Sequence, residues 1–292
     1  MAIYYRYQGR PDFATLLEAV QAPGGGAAWG CIRLRIAAFG DVHGNLTALE
    51  AVLDDIARQR ADAVVCMGDL AFRGPQPAEC LARIRASGVP CVYGNTDQTL
   101  LSVAAGEWWA RVPAACRAPE ASLPWVRWHT ERLSAADLDY LAGLPFEHRV
   151  EADRGSVLFV HATPQDCTAA IQPGDGGEAL EARLAGLGAE WLVMGHIHRA
   201  FAFRHGAVQL VNTGAVGFSL DRDWRASYAL VDTAGGGIEL RRVAYDLGRA
   251  VEAARAAGFC FPPREYEEAL RTGYWPAVPW EARRWGGEGL GE

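Results

Sequence analysis

The chain has 292 residues, 50% of them hydrophobic and 22% charged, an ordinary balance for one or two soluble globular domains. Its formal charge of −7 argues against a nucleic-acid surface built on bulk positive charge. Every Lys-or-Arg position is arginine, which excludes a Walker A lysine, a Schiff-base lysine and a lysine general base, and leaves any cationic grip on phosphate to arginine.

Residues 1–33 carry Tyr4, Tyr5 and Tyr7, a helical turn pattern around Phe13, and then Pro23-Gly24-Gly25-Gly26. This predicts a flexible extension ahead of a fold that begins near Arg33, and a start codon assigned too far upstream would account for it equally. The apolar run 36–39 reads as a buried strand and leads into Gly40-Asp41-Val42-His43-Gly44-Asn45. Leu46, Leu49, Leu53 and Ile56 then recur at helical spacing, with Asn45 placed to cap the helix. A second strand, 63–67, leads into Gly68-Asp69. A helix over 77–87 follows, with Pro77 suited to its first turn. The run 89–93 predicts a third strand, leading into Gly94-Asn95-Thr96-Asp97. This β-α-β-α-β order predicts parallel pairing with right-handed crossovers.

Residues 98–145 read as a helical insertion holding Trp108, Trp109, Trp125 and Trp128, with a capping box at Ser134-Ala135-Ala136-Asp137 opening a helix through Leu144. The tryptophans are expected to pack this subdomain; the sharper alternative is a lid that stacks on a substrate ring. Strands are expected at 146–151, 156–160, 190–195, 200–204, 207–211, 226–232 and 237–243, with helical material within 178–187 and a hairpin turn at Gly206. His161 follows the second of these strands, and Gly195-His196-Ile197-His198 closes the third. Helices over 247–257 and 264–271 form a tail. The expected partition is a 1–33 extension, a 34–245 main domain containing the 98–145 insertion, and a 246–292 helical tail.

In open α/β sheets, ligands bind beyond the carboxyl ends of the strands. Five strand ends would thus bring Asp41, His43, Asp69, Asn95, His161, His196 and His198 to one rim. Asp41 and His43, two apart on what reads as extended chain, are expected to point the same way, as are His196 and His198. A mixed carboxylate and imidazole set of this size suits a pair of transition metals.

These motifs, in this order, resemble the calcineurin-like metallophosphoesterase superfamily over roughly residues 34–243. The resemblance implies an α/β fold (α+β by some schemes), a four-layer αββα sandwich of two mixed β-sheets flanked by helices. It implies one metal held by Asp41, His43, Asp69 and His198, and a second held by Asn95, His161 and His196, with Asp69 bridging them. Two divalent transition metals are implied, manganese first, with iron, nickel or zinc compatible. A water held between them would lose a proton near neutral pH and attack phosphorus in line.

The segment Gly68-Asp69-Leu70-Ala71-Phe72-Arg73-Gly74 resembles the protein phosphatase and diadenosine tetraphosphatase branch, where the matching arginine contacts phosphate; a solvated loop arginine is the even alternative. That branch has histidine after Gly-Asn as general acid. Threonine at 96 is far too weak an acid for that task, which resembles the small prokaryotic phosphodiesterases and leaves Asp97 to orient the loop. The catalytic candidates are therefore Asp69, Asn95, Arg73 and Asp97, and the substrate-contacting ones Arg73, Asn95 and Thr96. His129, His148 and His205 are left as surface or packing residues.

The expected function is a dinuclear metal-dependent phosphodiesterase acting on a small, nucleotide-like phosphoester. A phosphomonoesterase or dinucleoside polyphosphatase, and a catalytically reduced metal-binding scaffold, stay open. Seven cysteines without C-x-x-C spacing, no apolar run near the ~18 residues of a membrane span and no secretory signal fit a reducing cytoplasm and no membrane partner. Nucleic acid is not an expected partner, and homo-oligomerisation is open.

Overall fold

The computed structural model describes residues 34–106, 123–152, 155–261 and 263–274. The expected extension, Trp108, Trp109 and the end of the tail lie outside them.

Strand alternation decides the layering. Along β1 (Arg35–Phe39), Ile36 and Ala38 face one way and Ala37 and Phe39 the other, and all four are buried. A strand apolar on both faces needs a layer on each side. The first sheet pairs β1 with β2 (Ala63–Cys66) in parallel and with β8 (Ala226–Asp232) antiparallel, with β9 (Gly237–Val243) on the edge beyond β8. In the second, β4 (Gly155–Val160), β5 (Trp191–Met194) and β7 (Val208–Thr213) run parallel. Here β3 (Glu147–Ala152) and β6 (Ala200–His205) close the edges antiparallel.

Between the sheets, Ile36, Ala38, Val65 and Met67 form one core with Val157, Phe159, Val193 and Val211. Outside the first sheet, Phe39, Tyr228 and Leu230 share a core with Leu49 and Val52 of α1 (Leu46–Gln59) and Leu81 and Ile84 of α2 (Pro77–Ser87). Outside the second, Leu158, Leu192 and Leu210 do so with Leu180 and Leu184 of α6 (Gly177–Leu184). Two mixed sheets flanked by helices, the expected αββα order, result. Asn45 caps α1 by accepting the Ala48 N–H at 3.1 Å.

Two expectations need correction. The run 89–93 is not a strand; it contributes a single parallel bridge, Cys91 to Cys66. Pro90 lacks an N–H, and the Gly94 N–H, the next that would face β2 after that of Val92, goes to Asp97 Oδ2 at 2.9 Å, so the ladder cannot extend. Directly after it, Asn95 opens a helix, α3 (Asn95–Ala104), where the sequence suggested only a loop. Asp97 forms its capping box, its Oδ2 accepting the Gly94 N–H at 2.9 Å.

The insertion continues with α4 (Leu123–Thr130) and α5 (Ala135–Ala142), the latter capped by Ser134 and Asp137 as expected. Its Trp125 packs on Phe72 with ring centroids 4.7 Å apart. Trp128 donates its Nε1–H to Gly258 at 3.1 Å and sits 5.1 Å from the Phe259 ring. These two tryptophans pack the insertion onto the chain. The tail helices α7 (Leu247–Ala256) and α8 (Pro263–Thr272) share a core with Phe218, through Val251, Phe259, Tyr266 and Leu270. No helix among the described residues is long and apolar enough to cross a membrane.

Candidate metal centre

The polar residues that follow β1, β2, β4 and β5 meet those at the start of α3. The sequence suggested that extended chain aims Asp41 with His43, and His196 with His198; the backbone is instead left-handed at each. Asp41 has φ 53°, His43 47°, Asp69 55°, His196 73° and His198 57°, among eight non-glycine residues with positive φ in the described chain. Such φ values cost roughly 1–2 kcal/mol each for residues with a Cβ. They turn each side chain off the strand direction and inward.

The four imidazoles share one logic. His43 Nδ1 lies 2.8 Å from the Phe72 carbonyl, His161 Nδ1 2.7 Å from Met67, His198 Nδ1 2.6 Å from Phe218 and His196 Nε2 3.2 Å from Thr168. A carbonyl only accepts, so each of these nitrogens carries the proton. In the neutral ring the other nitrogen of each is then the lone-pair atom, and all four face inward.

Two clusters result. In the first, His43 Nε2 and His198 Nε2 approach to 2.9 Å, with Asp41 Oδ1 at 3.7 and 3.2 Å from them and Asp69 Oδ2 3.5 Å from His43. Ligand atoms of these four buried residues all lie within 4.8 Å of one another. In the second, His161 Nε2, His196 Nδ1 and Asn95 Oδ1 lie 3.0–3.2 Å apart, and Asp69 Oδ1 is 3.6 Å from His161. Asp69 thus presents one oxygen to each cluster.

The buried charges interact strongly across the two clusters. Burial raises the Asp41 carboxyl, but His198 and His43 outweigh it and hold it well below the usual carboxylate range. Asp69 is likewise lowered, burial being overcome by His161 and His43. Burial lowers His43 and takes His196 down to about 3, whereas at His161 burial is outweighed by the charges of Asp69 and Asp41, which raise it. The donor set is two carboxylates and the inward-facing imidazole nitrogens, and Asp41 Oδ1 is buried with no hydrogen-bond partner. A proton cannot satisfy so many convergent acceptors, whereas divalent cations fit them.

Two glycines follow from the same crowding. A Cβ on Gly94 would lie 2.0 Å from Asp69 Oδ1, and one on Gly195 2.4 Å from Asp41 Oδ2.

The remaining candidates sit around this centre. Asp97 is fully buried and does not reach it: its Oδ2 accepts the Asp69 N–H at 2.8 Å and its Oδ1 the Leu70 N–H at 2.9 Å. Burial and the charge of Asp69 push its carboxyl up to about 7. Thr96 donates its backbone N–H to Asp69 Oδ1 at 2.9 Å, while its hydroxyl is buried with no hydrogen-bond partner. Arg73 has φ 88°, and its charge is close enough to lower His43. Arg73 and Asn95 are half-buried where the other six metal-ligand candidates are buried, so they mark the open side. Motif reading did not find the carbonyls of Met67, Phe72, Thr168 and Phe218 that aim the imidazoles, since backbone atoms leave no residue-type signal. His129, set aside as surface or packing, is fully buried beside Arg73. His148 and His205 stand apart, His205 near Glu181 on the surface.

Comparison with known proteins identifies the family. Residues 34–236 match the calcineurin-like phosphoesterase superfamily domain. An uncharacterized protein of Methanocaldococcus jannaschii is 26% identical over 76% of this chain and 92% of its own. A symmetrical bis(5'-nucleosyl)-tetraphosphatase of Paracidovorax citrulli is 38% identical over 42% of each chain. Among solved structures, a metallophosphoesterase of Sphaerobacter thermophilus aligns with a TM-score of 0.63 at 27% identity, covering 83% of this chain and all of that one. A hypothetical protein of Pyrococcus horikoshii has the same fold, with a TM-score of 0.69 at 20% identity over 82% of this chain and 98% of its own. A domain match spanning more than half of the sequence, over the segment that carries both clusters, settles the family: this chain belongs to the calcineurin-like phosphoesterase superfamily.

Proposed function

We propose that the chain is a two-cation phosphoesterase that prefers small phosphodiesters, with Asp41, His43, Asp69 and His198 holding one cation and Asp69, Asn95, His161 and His196 the other. The observation that carries this is the convergence of inward-facing imidazole nitrogens around the two oxygens of Asp69. When bound, such a cation pair supplies charge stabilisation at the phosphoryl oxygens and acidifies water. The protein supplies the rest. The outward N–H bonds of the four histidines fix which nitrogen is bare. Asn95, at the half-buried edge, and the Arg73 guanidinium orient the phosphate, the latter in a charge-assisted grip. Asp97 positions Asp69 and Leu70 without touching substrate.

The preference for diesters rests on Thr96. Its hydroxyl cannot protonate a poor leaving group at neutral pH, so the reaction suits esters whose leaving oxygen departs with little help. Arg73 supports a second reading, hydrolysis of dinucleoside polyphosphates, since the tetraphosphatase relative shares sequence with this chain. Trp125 and Trp128 lend no support to a nucleobase lid, being committed to Phe72 and the tail.

The test compares Mn²⁺-dependent hydrolysis of bis-p-nitrophenyl phosphate and p-nitrophenyl phosphate, with Asp69→Asn as the blank. The expected outcome is a preference for the diester and loss of both activities in the variant. Preference for the monoester moves the reading to the phosphatase branch. Bound metal without hydrolysis of either ester makes the scaffold reading the better one, and wild-type turnover by Asp69→Asn rules out the bridged pair.

A further inference from the structure

His129 lies outside every motif, yet it is 0% exposed and both ring nitrogens are engaged. Its Nδ1 lies 2.8 Å from the Trp125 carbonyl one turn back in α4, so that nitrogen carries the proton. Its Nε2 is then an acceptor and takes the Arg73 N–H at 3.1 Å. The ring is wedged among Phe72, Trp128 and Phe259, with centroids 4.8, 5.0 and 5.7 Å away. Nothing in that wall can replace the acceptor.

The segment His129 holds is short and constrained. Phe72 gives its carbonyl to His43 Nδ1 at 2.8 Å. Arg73 has a left-handed φ of 88°. Gly74 packs so tightly that an added Cβ would lie 2.0 Å from the His43 carbonyl. A left-handed arginine is unfavourable and persists only where neighbours over-determine it. The bond from His129 ties Arg73 to the insertion.

We propose that His129 is a positioning residue: a neutral imidazole strut from the insertion that holds residues 72–74, and so sets where the Arg73 guanidinium meets the phosphate. The proposal rests on the phosphoesterase reading for its catalytic consequence, though not for the strut itself. It gives the insertion a role in the reaction that needs no contact between insertion and substrate.

Two conservative variants separate acceptor from bulk. A glutamine amide oxygen reaches the place of Nε2, whereas an asparagine reaches only that of Nδ1. His129→Gln should retain the Arg73 bond and stay within about threefold of wild-type kcat/KM. His129→Asn should lose roughly tenfold, the worth of one buried hydrogen bond. In a cycle with Arg73→Ala, the Asn penalty should largely vanish, since there is no guanidinium left to misplace. Amide exchange over residues 70–76 provides a readout independent of activity: faster in His129→Asn, unchanged in His129→Gln. Equal losses in both variants, or additivity with Arg73→Ala, would reduce His129 to packing and overturn the proposal. Unchanged exchange in a folded His129→Asn would overturn it as well. A wild type that cleaves neither ester defeats the phosphoesterase reading instead, and the exchange comparison then decides the strut.

Discussion

The carboxylate of Asp97 holds the backbone of Asp69, accepting its N–H at 2.8 Å while also accepting Gly94 N–H at 2.9 Å. One buried side chain thus locks the loop after β2 to the start of α3, which together carry Asp69 and Asn95. Asp97→Asn would turn an amide donor toward these N–H groups. The expected cost is about 2 kcal/mol or more in urea unfolding, with weaker Mn²⁺ binding by calorimetry. Wild-type stability in this variant would mean that the three N–H bonds contribute little.

Gly195→Ala should act on Asp41. The new methyl would press on Asp41 Oδ2, which accepts the His196 N–H at 2.9 Å. Overpacking of this kind costs roughly 1–3 kcal/mol, and bound metal should fall with it. Gly206→Ala is the control: its φ is 57°, but the added Cβ meets nothing within 4 Å. It should cost only about 1 kcal/mol of backbone strain and leave metal content, measured by elemental analysis, untouched.

Thr96→Val should leave stability within about 0.5 kcal/mol of wild type, because the hydroxyl it removes has no hydrogen-bond partner. A marked loss of kcat/KM in that stable variant would show that the hydroxyl meets substrate. Thr96→His should raise monoesterase relative to diesterase activity by restoring an acid; an unchanged ratio would remove Thr96 from the account of leaving-group preference.

His129 also predicts a pH dependence. Burial lowers it from an ordinary value of 6.5 to about 4, so it is neutral in the native state. Between those values the unfolded chain binds a proton that the native chain does not. Its contribution is therefore intact above pH 6.5 and is lost as pH falls toward 4, by up to about 3 kcal/mol. Urea midpoints for wild type and His129→Phe, compared from pH 7.5 to 5, should converge at the acid end. Parallel curves would show that His129 is not held neutral.

Much of this was legible in the sequence, for identifiable reasons. Buried strands such as 36–39 and 156–160 announce themselves by continuous apolar runs, and Asn45 and Ser134 by capping chemistry. The seven ligand candidates were readable because chemistry restricts which residue types can serve. The left-handed turns were not, because positive φ is a minority conformation even for aspartate and histidine, which are enriched there. The run 89–93 looked like a strand since hydrophobicity outweighed Pro90 in the reading. His129 stayed hidden because its role depends on one backbone N–H some 56 residues away in sequence.

The left-handed backbone at Asp41, His43, Asp69, His196 and His198 bears on how the centre fills. Side chains aimed by the main chain have few rotameric alternatives to give up when an ion arrives. Binding should then resemble entry into a rigid cage, with little conformational entropy lost and little change in amide exchange around the loops. The unfavourable turns are offset at the moment of folding, by the sandwich beneath them. Swapping one metal for another should consequently alter affinity through ionic radius and coordination preference, while the protein around the ion keeps its shape.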